Sequence, residues 1–162
     1  APPSLEGLKT ALNRDGLAPH LLVRSGLAVE RDNGQTVDRF RGRLMIPIRA
    51  ADGRTVAFGG RLILGDQGPK YLNSRESRLY AKSETLYALD RARDEIRRRK
   101  ACVLVEGYFD VIGLHQAGVR HAVALCSTTL TSGHLAALQR AESGVARRPV
   151  STGASRRCRG RC

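Results

Sequence analysis

Acidic residues are in short supply: Asp and Glu total 15 against 28 Lys and Arg, a formal net charge of +13 over 162 residues. Such a chain favours a polyanionic partner, because a basic protein gains affinity by releasing counterions from phosphates. No apolar run approaches the roughly 20 residues that a membrane span needs. The sequence opens on Ala1 rather than Met, with neither a basic leader nor an apolar segment behind it. No secretory signal is readable, and a processed chain or an internal piece is expected. Only four cysteines occur. Cys102 opens one apolar run and Cys126 ends another, the usual places for small buried thiols. Cys158 and Cys162 lie four apart with no His or second Cys pair nearby, which argues against a zinc site. Nothing points to an oxidising compartment, and there is no internal repeat. The hydrophobic fraction of 41% still suffices for one domain, or one and a half, with a real core.

The charge is unevenly spread. Residues 141–162 hold six Arg and one Glu, with Val145 and Val150 as the only sizeable aliphatics. A segment this poor in apolar surface cannot offset its ordering entropy, so it reads as a basic, disordered tail.

Ahead of it, Ser4 to about Arg14 and Ala18 to Ser25 read as short helices, the second stopping at Gly26. Leu44–Ile48 and Thr55–Phe58 read as a hairpin around Ala51-Asp52-Gly53, with Pro47 marking an edge or a bulge. A long helix is predicted from Ser83, with Leu86, Leu89, Ala92 and Ile96 on one face. Its end, Arg97-Arg98-Arg99-Lys100, complements the helix C-terminus. From residue 101 the pattern becomes β-α-β-α. Cys102–Val105 and His121–Leu125 are the strands, the first wholly apolar as in a buried parallel strand. Tyr108–Ala117 is a helix, and Thr131 caps another running through Leu135 and Leu138. The fold class expected is α+β, with helices and a hairpin followed by one β-α-β-α, Rossmann-like unit over residues 101–140.

In open α/β sheets the working residues lie beyond the C-terminal ends of the strands. Glu106 is placed there, and Asp110 follows on the first turn of the next helix. Two carboxylates there could hold Mg²⁺ or move a proton. The alternative is that Asp110 stabilises the helix N-terminus while Glu106 is merely solvated. A second group is basic: Arg39, Arg41, Arg43, Arg61, Lys70 and Lys82, interleaved with Phe40, Phe58, Tyr71 and Tyr80. Cations flanked by aromatics suit a phosphate track with base stacking. The alternation of Arg39, Arg41 and Arg43 would project them from one side of a strand.

Five ordered stretches carry a resemblance: Arg39-Phe-Arg-Gly-Arg-Leu-Met-Ile-Pro-Ile48, Ala57-Phe-Gly-Gly-Arg61, Pro69-Lys-Tyr-Leu-Asn-Ser74, Leu86-Tyr-Ala-Leu89 and Val105-Glu-Gly-Tyr-Phe-Asp-Val111. Over residues 5 to 140 the chain resembles the RNA polymerase domain of bacterial DNA primases, the DnaG family. The resemblance implies that residues 1–100 form the family's mixed α+β N-terminal subdomain and that residues 101–140 are the first half of a Toprim fold. It implies synthesis of short RNA primers on single-stranded DNA from NTPs, with Mg²⁺ or Mn²⁺ as cofactor, in the bacterial cytoplasm at the nucleoid. The replicative helicase would be a partner of the full-length family. Glu106 would be the metal ligand and possible acid/base, and Asp110 the matching acid. Arg39, Arg41, Arg61, Lys70, Tyr71 and Lys82 would line the groove for template and nucleotide phosphates.

Two departures stand out. The family carries Asp-x-Asp on the next Toprim strand, and after Arg140 this sequence contains no Asp. Ser127-Thr128 also stands where the family has Gly-Thr. The chain is therefore expected to be a fragment whose residues from about 141 are read out of frame, with very weak or no primer synthesis by itself. Its other expected role is as a non-catalytic single-stranded nucleic-acid binder. A nuclease or topoisomerase Toprim fragment is disfavoured by the stretches at 39–74.

Overall fold

The computed structural model describes residues 1–65 and 68–144. Two short helices, α1 (Gly7–Arg14) and α2 (Pro19–Arg24), lead into a hairpin of β1 (Ala28–Glu30) and β2 (Thr36–Asp38). Ser4 does not cap α1. The buried Asp38 carboxylate accepts from the Leu8 and Lys9 backbone N–H groups instead, serving an anion's role at a helix N-terminus from a distant strand.

Next come β3 (Arg43–Arg49), β4 (Thr55–Leu62) and β5 (Tyr71–Asn73), an antiparallel sheet in the order β3-β4-β5. Pro47 lies on the edge strand, where its missing N–H costs no ladder bond, and the register slips between Ile48 and Arg49. The alternation expected of the three arginines is not realised. Residues 39–42 form a turn, and only Arg43 is in a strand, with 4% of its surface exposed. Its Nη1 donates to the carbonyls of Gly60 and Lys70, 3.2 and 3.4 Å away. Burial and then the neighbouring Arg41 hold its pKa below the ordinary guanidinium value.

The second half contains β6 (Leu86–Tyr87), α3 (Leu89–Arg99), β7 (Val103–Val105), α4 (Tyr108–Gln116), β8 (Ala122–Leu125) and α5 (Ser132–Ser143). The β-α-β-α unit is present, with β7 parallel to β8. The helix predicted from Ser83 is not: Leu86 and Tyr87 pair antiparallel with β8, and α3 begins only at Leu89. Leu86 shares the apolar spacing of α3, but it faces that helix from a strand, which spacing alone does not distinguish. The sheet order is β6-β8-β7, so β7 is an edge among the described residues, and Leu104 is 37% exposed. Cys126 is buried as expected, whereas Cys102 is only half-buried. Thr131 caps α5 through the His134 backbone N–H. That helix runs three residues past position 140, with Ala141 still packed on the core. Residues 145–162, including Cys158, Cys162 and most of the expected tail, lie outside the described residues.

Alternation in the central strands builds two cores. Val123 and Leu86 face α3 and α5, joining Leu89, Ala92, Ile96 and Ala137. Ala124 and Tyr87 face the other way, where Ile46, Ile48 and Ala57 of the first sheet meet Tyr80, Tyr108, Val111 and Cys126. This second core fixes the strand exits of one sheet against the face of the other. No helix among the described residues is long and apolar enough to cross a membrane.

Candidate nucleic-acid and metal interface

The turn after β7 carries Glu106 and Asp110, both exposed. Asp110 Oδ2 accepts from the Gly107 backbone N–H at 3.1 Å, at the N-terminus of α4. A Cβ on Gly107 would lie 2.7 Å from that oxygen, so glycine is what permits the carboxylate to fold back. The alternative role expected for Asp110 is thus present, and its other carboxylate oxygen has no hydrogen-bond partner among the described residues. Glu106 has no hydrogen bond or ion pair among the described residues. No group of three or more His, Cys, Asp or Glu side chains converges there to hold a metal.

Arg61 of β4 lies between the ring of Phe109, in this stretch, and that of Tyr71 on β5. Its guanidinium lies 4.9 Å from the Phe109 ring centroid and 5.9 Å from that of Tyr71. Cation–π contacts of this kind orient a guanidinium without neutralising it. Tyr71 is 48% exposed on β5, and Lys70 is exposed at the strand's entry. Asn73, two residues on, donates from Nδ2 to the Cys126 carbonyl at 3.4 Å. Lys82 is half-buried in the loop before β6, close enough to favour the Cys126 thiolate, although burial dominates and pushes that thiol up. Its carbonyl is 2.7 Å from Nε2 of the fully buried His134, which donates to it.

The other two arginines are partly committed. Arg41 donates to the Asp38 carbonyl at 2.6 Å, and Arg39 to the Asn73 carbonyl at 3.2 Å. The structure therefore brings together Arg61, Tyr71 and the turn of Glu106 and Asp110, with Lys70 beside Tyr71. It diverts Arg41 into its own turn.

Tyr108, despite its place between Glu106 and Asp110, is a packing residue. Its ring stacks 4.7 Å from that of Tyr87, and a Cβ on Gly59 would lie 2.6 Å from it. Burial, and then the neighbouring Cys126, push its hydroxyl and that of Tyr80 well above the usual phenol range. Both phenols are therefore protonated near neutrality. Sequence reading missed Phe109, Asn73 and His134. Asn73 was accessible to it, since it shares a strand face with Tyr71, and Phe109 adjoins the paired acids.

Residues 1–93 match the family model for the N-terminal domain of the DNA primase catalytic core, and residues 100–151 match a Toprim domain. A DNA primase of Myxococcus xanthus is 67% identical over 122 residues, covering 75% of this chain and 20% of that protein. The chain thus spans about a fifth of the length of the curated relatives it matches. The RNA polymerase domain of Mycobacterium tuberculosis primase DnaG, solved with double-stranded DNA, superposes with a TM-score of 0.81 at 38% identity. That match covers 89% of this chain and 46% of the other. A DnaG primase catalytic domain bound to single-stranded DNA gives a TM-score of 0.76 at 40% identity, over 87% and 45%. With two family matches in tandem, over residues 1–93 and 100–151, the chain belongs to the DNA primase (DnaG) catalytic-core family.

Proposed function

We propose that this chain is the template- and phosphate-holding part of a DNA primase core, in which RNA primers are made on single-stranded DNA from NTPs. The observation that carries this reading is Arg61, held between Tyr71 and Phe109 so that a cation with no ion pair among the described residues lies between the basic strand edge and the acidic turn. In primer extension a 3′-hydroxyl attacks an α-phosphate and pyrophosphate leaves. Arg61, Lys70 and Lys82 would neutralise and place the phosphates, and Tyr71 would offer its exposed ring to a base. Arg39 and Arg41 would act mainly by shaping the strand edge, because their hydrogen bonds go to main-chain carbonyls.

Mg²⁺ commonly takes one or two carboxylates plus substrate phosphates. Glu106 and the uncommitted oxygen of Asp110 fit that donor set. A divalent ion there would supply charge neutralisation at the reacting phosphate. Helicase contact belongs to the full-length family reading and is assigned to no residue here.

A second reading, a non-catalytic single-stranded nucleic-acid binder, is favoured by the absence of a third converging acid among the described residues. One experiment separates the two. Binding of a fluorescent oligothymidylate is measured against salt, beside NTP incorporation with Mn²⁺. Binding is expected to fall about 3–10-fold in Lys70→Ala and in Arg61→Ala, each removing one phosphate contact. Glu106→Gln should leave it unchanged. Incorporation by this chain that Glu106→Gln abolishes would establish catalysis and reject the binder reading. Oligonucleotide binding insensitive to both cationic substitutions would reject the groove itself.

A further inference from the structure

The segment between Tyr80 and β6 is neither helix nor strand, yet side chains hold its backbone from both sides. Ala81–Glu84 is a turn closed by the Glu84 N–H on the Ala81 carbonyl at 3.1 Å, with Lys82 and Ser83 at its centre. The two central carbonyls take no part in closing such a turn and are ordinarily left to water. Here the Lys82 carbonyl accepts from Nε2 of His134 at 2.7 Å, and the Ser83 carbonyl accepts from the Thr131 hydroxyl. The Lys82 N–H donates to Glu76 Oε1 at 2.9 Å, so the lysine backbone is fixed on both sides of its Cα. The turn lies so close to α5 that a Cβ on Gly133 would come within 2.6 Å of the Ser83 carbonyl oxygen. His134 is wholly buried, and both of its ring nitrogens are engaged. Nδ1 accepts from the Thr131 N–H at 3.1 Å, which leaves the proton on Nε2 for the Lys82 carbonyl. The cap of α5 does not require that second bond, because the Thr131 hydroxyl already accepts from the His134 N–H.

We propose that His134 is a positioning residue that acts through the Lys82 carbonyl to aim the Lys82 ammonium at a phosphate of the bound strand. That ammonium forms no ion pair among the described residues. A lysine stem is flexible, so fixing the direction in which it leaves the backbone is the fold's means of placing the charge. The proposal rests on the functional reading above in giving Lys82 a phosphate. The hydrogen bond from His134 does not depend on that reading.

Two substitutions divide the ring's bonds between them. In His134→Asn the amide oxygen takes the place of Nδ1 and keeps the Thr131 bond; in His134→Gln the amide nitrogen takes the place of Nε2 and keeps the Lys82 bond. Each variant loses one bond, so a purely structural role weakens both alike. Oligothymidylate affinity of the full chain is measured from low to high salt for both, alone and combined with Lys82→Ala or Lys70→Ala. In parallel, NMR follows the coupling through the hydrogen bond from His134 Nε2 to the Lys82 carbonyl. His134→Asn is expected to lower affinity about 3–10-fold and the salt slope by about 0.7, the value of one single-strand phosphate contact. His134→Gln should recover most of that loss. His134→Asn should add nothing to Lys82→Ala and should be additive with Lys70→Ala. Equal losses in the two His134 variants, additivity with Lys82→Ala, or wild-type affinity in His134→Asn would each overturn the proposal. Should His134→Asn lack a cooperative thermal transition, His134→Gln decides: the wild-type slope supports the proposal, and a slope lower by about 0.7 overturns it. Binding indifferent to Lys82→Ala also overturns it, while Arg61→Ala and Lys70→Ala still report on the functional reading. Failure of the wild-type chain to bind oligonucleotide would overturn that reading instead. The NMR coupling then decides the positioning contact by itself, and its absence from the wild type overturns it.

Discussion

The two three-stranded sheets share one core yet use their polar groups in opposite ways. Around β3-β4-β5, guanidiniums are abundant and many are occupied: Arg39, Arg41 and Arg43 all donate to main-chain carbonyls. Around β6-β8-β7, the carboxylate at the strand exit, Glu106, has no hydrogen bond or ion pair among the described residues. A formal charge therefore measures the capacity to bind a ligand poorly on both sides. The +13 overstates the positions open to phosphate, while two acids at one turn count for more than their number.

The largest expected effect tests whether the two regions are one body. Gly59 of β4 receives the Tyr108 ring of α4, and a Cβ there would come within 2.6 Å of it. Gly59→Val should cost about 2–3 kcal/mol in urea denaturation, the range for overpacking a core that cannot move aside. A double-mutant cycle of Gly59→Ala with Tyr108→Leu sharpens it. The glycine substitution should be less costly once the ring is gone, with coupling of about 1 kcal/mol. Additive losses would mean that the sheets are stabilised independently and that Arg61 bridges two units free to separate.

Much of this was legible in the sequence because local pattern and tertiary role coincide. Parallel β7 and β8, the turn bearing Glu106 and Asp110, the edge position of Pro47 and the cap at Thr131 all follow from short-range rules. The failures have a common cause. Leu86 and Tyr87 carry helical spacing but are claimed by β8, a partner almost forty residues away. Arg39, Arg41 and Arg43 alternate like a strand, but the chain turns at 39–42 and sends their donors to different carbonyls. His134 was invisible as a partner of Lys82 because the contact spans 52 residues. Periodicity reports the face a residue occupies and is silent on what lies opposite.

A smaller effect separates the two acids. Asp110→Ala removes the acceptor of the Gly107 N–H and should cost about 1 kcal/mol, as loss of a helix-terminal side-chain bond does. Glu106 is exposed and has no hydrogen bond or ion pair among the described residues, so Glu106→Gln should stay within about 0.5 kcal/mol in the same urea titration. A loss at Glu106 matching that at Asp110 would make it a structural residue and erase the contrast with the basic sheet.

The smallest effect lies at α3, where an acid is engaged for stability alone. Glu95 is bonded first to Arg98 and then to Arg99, and its carboxyl is held down to about 2 from an ordinary 4.5. A depressed folded-state pKa gives stability that is present above the unfolded value and is lost as pH falls through the folded one. The urea midpoint of the wild type should therefore exceed that of Glu95→Gln at pH 5, and the gap should close between about pH 4.5 and 2. Because the pair sits at the helix surface, the gap should be small and should shrink further in molar salt. A gap that persists at pH 2 would show that Glu95 acts by packing or helix propensity, and that its ion pairs with Arg98 and Arg99 contribute nothing.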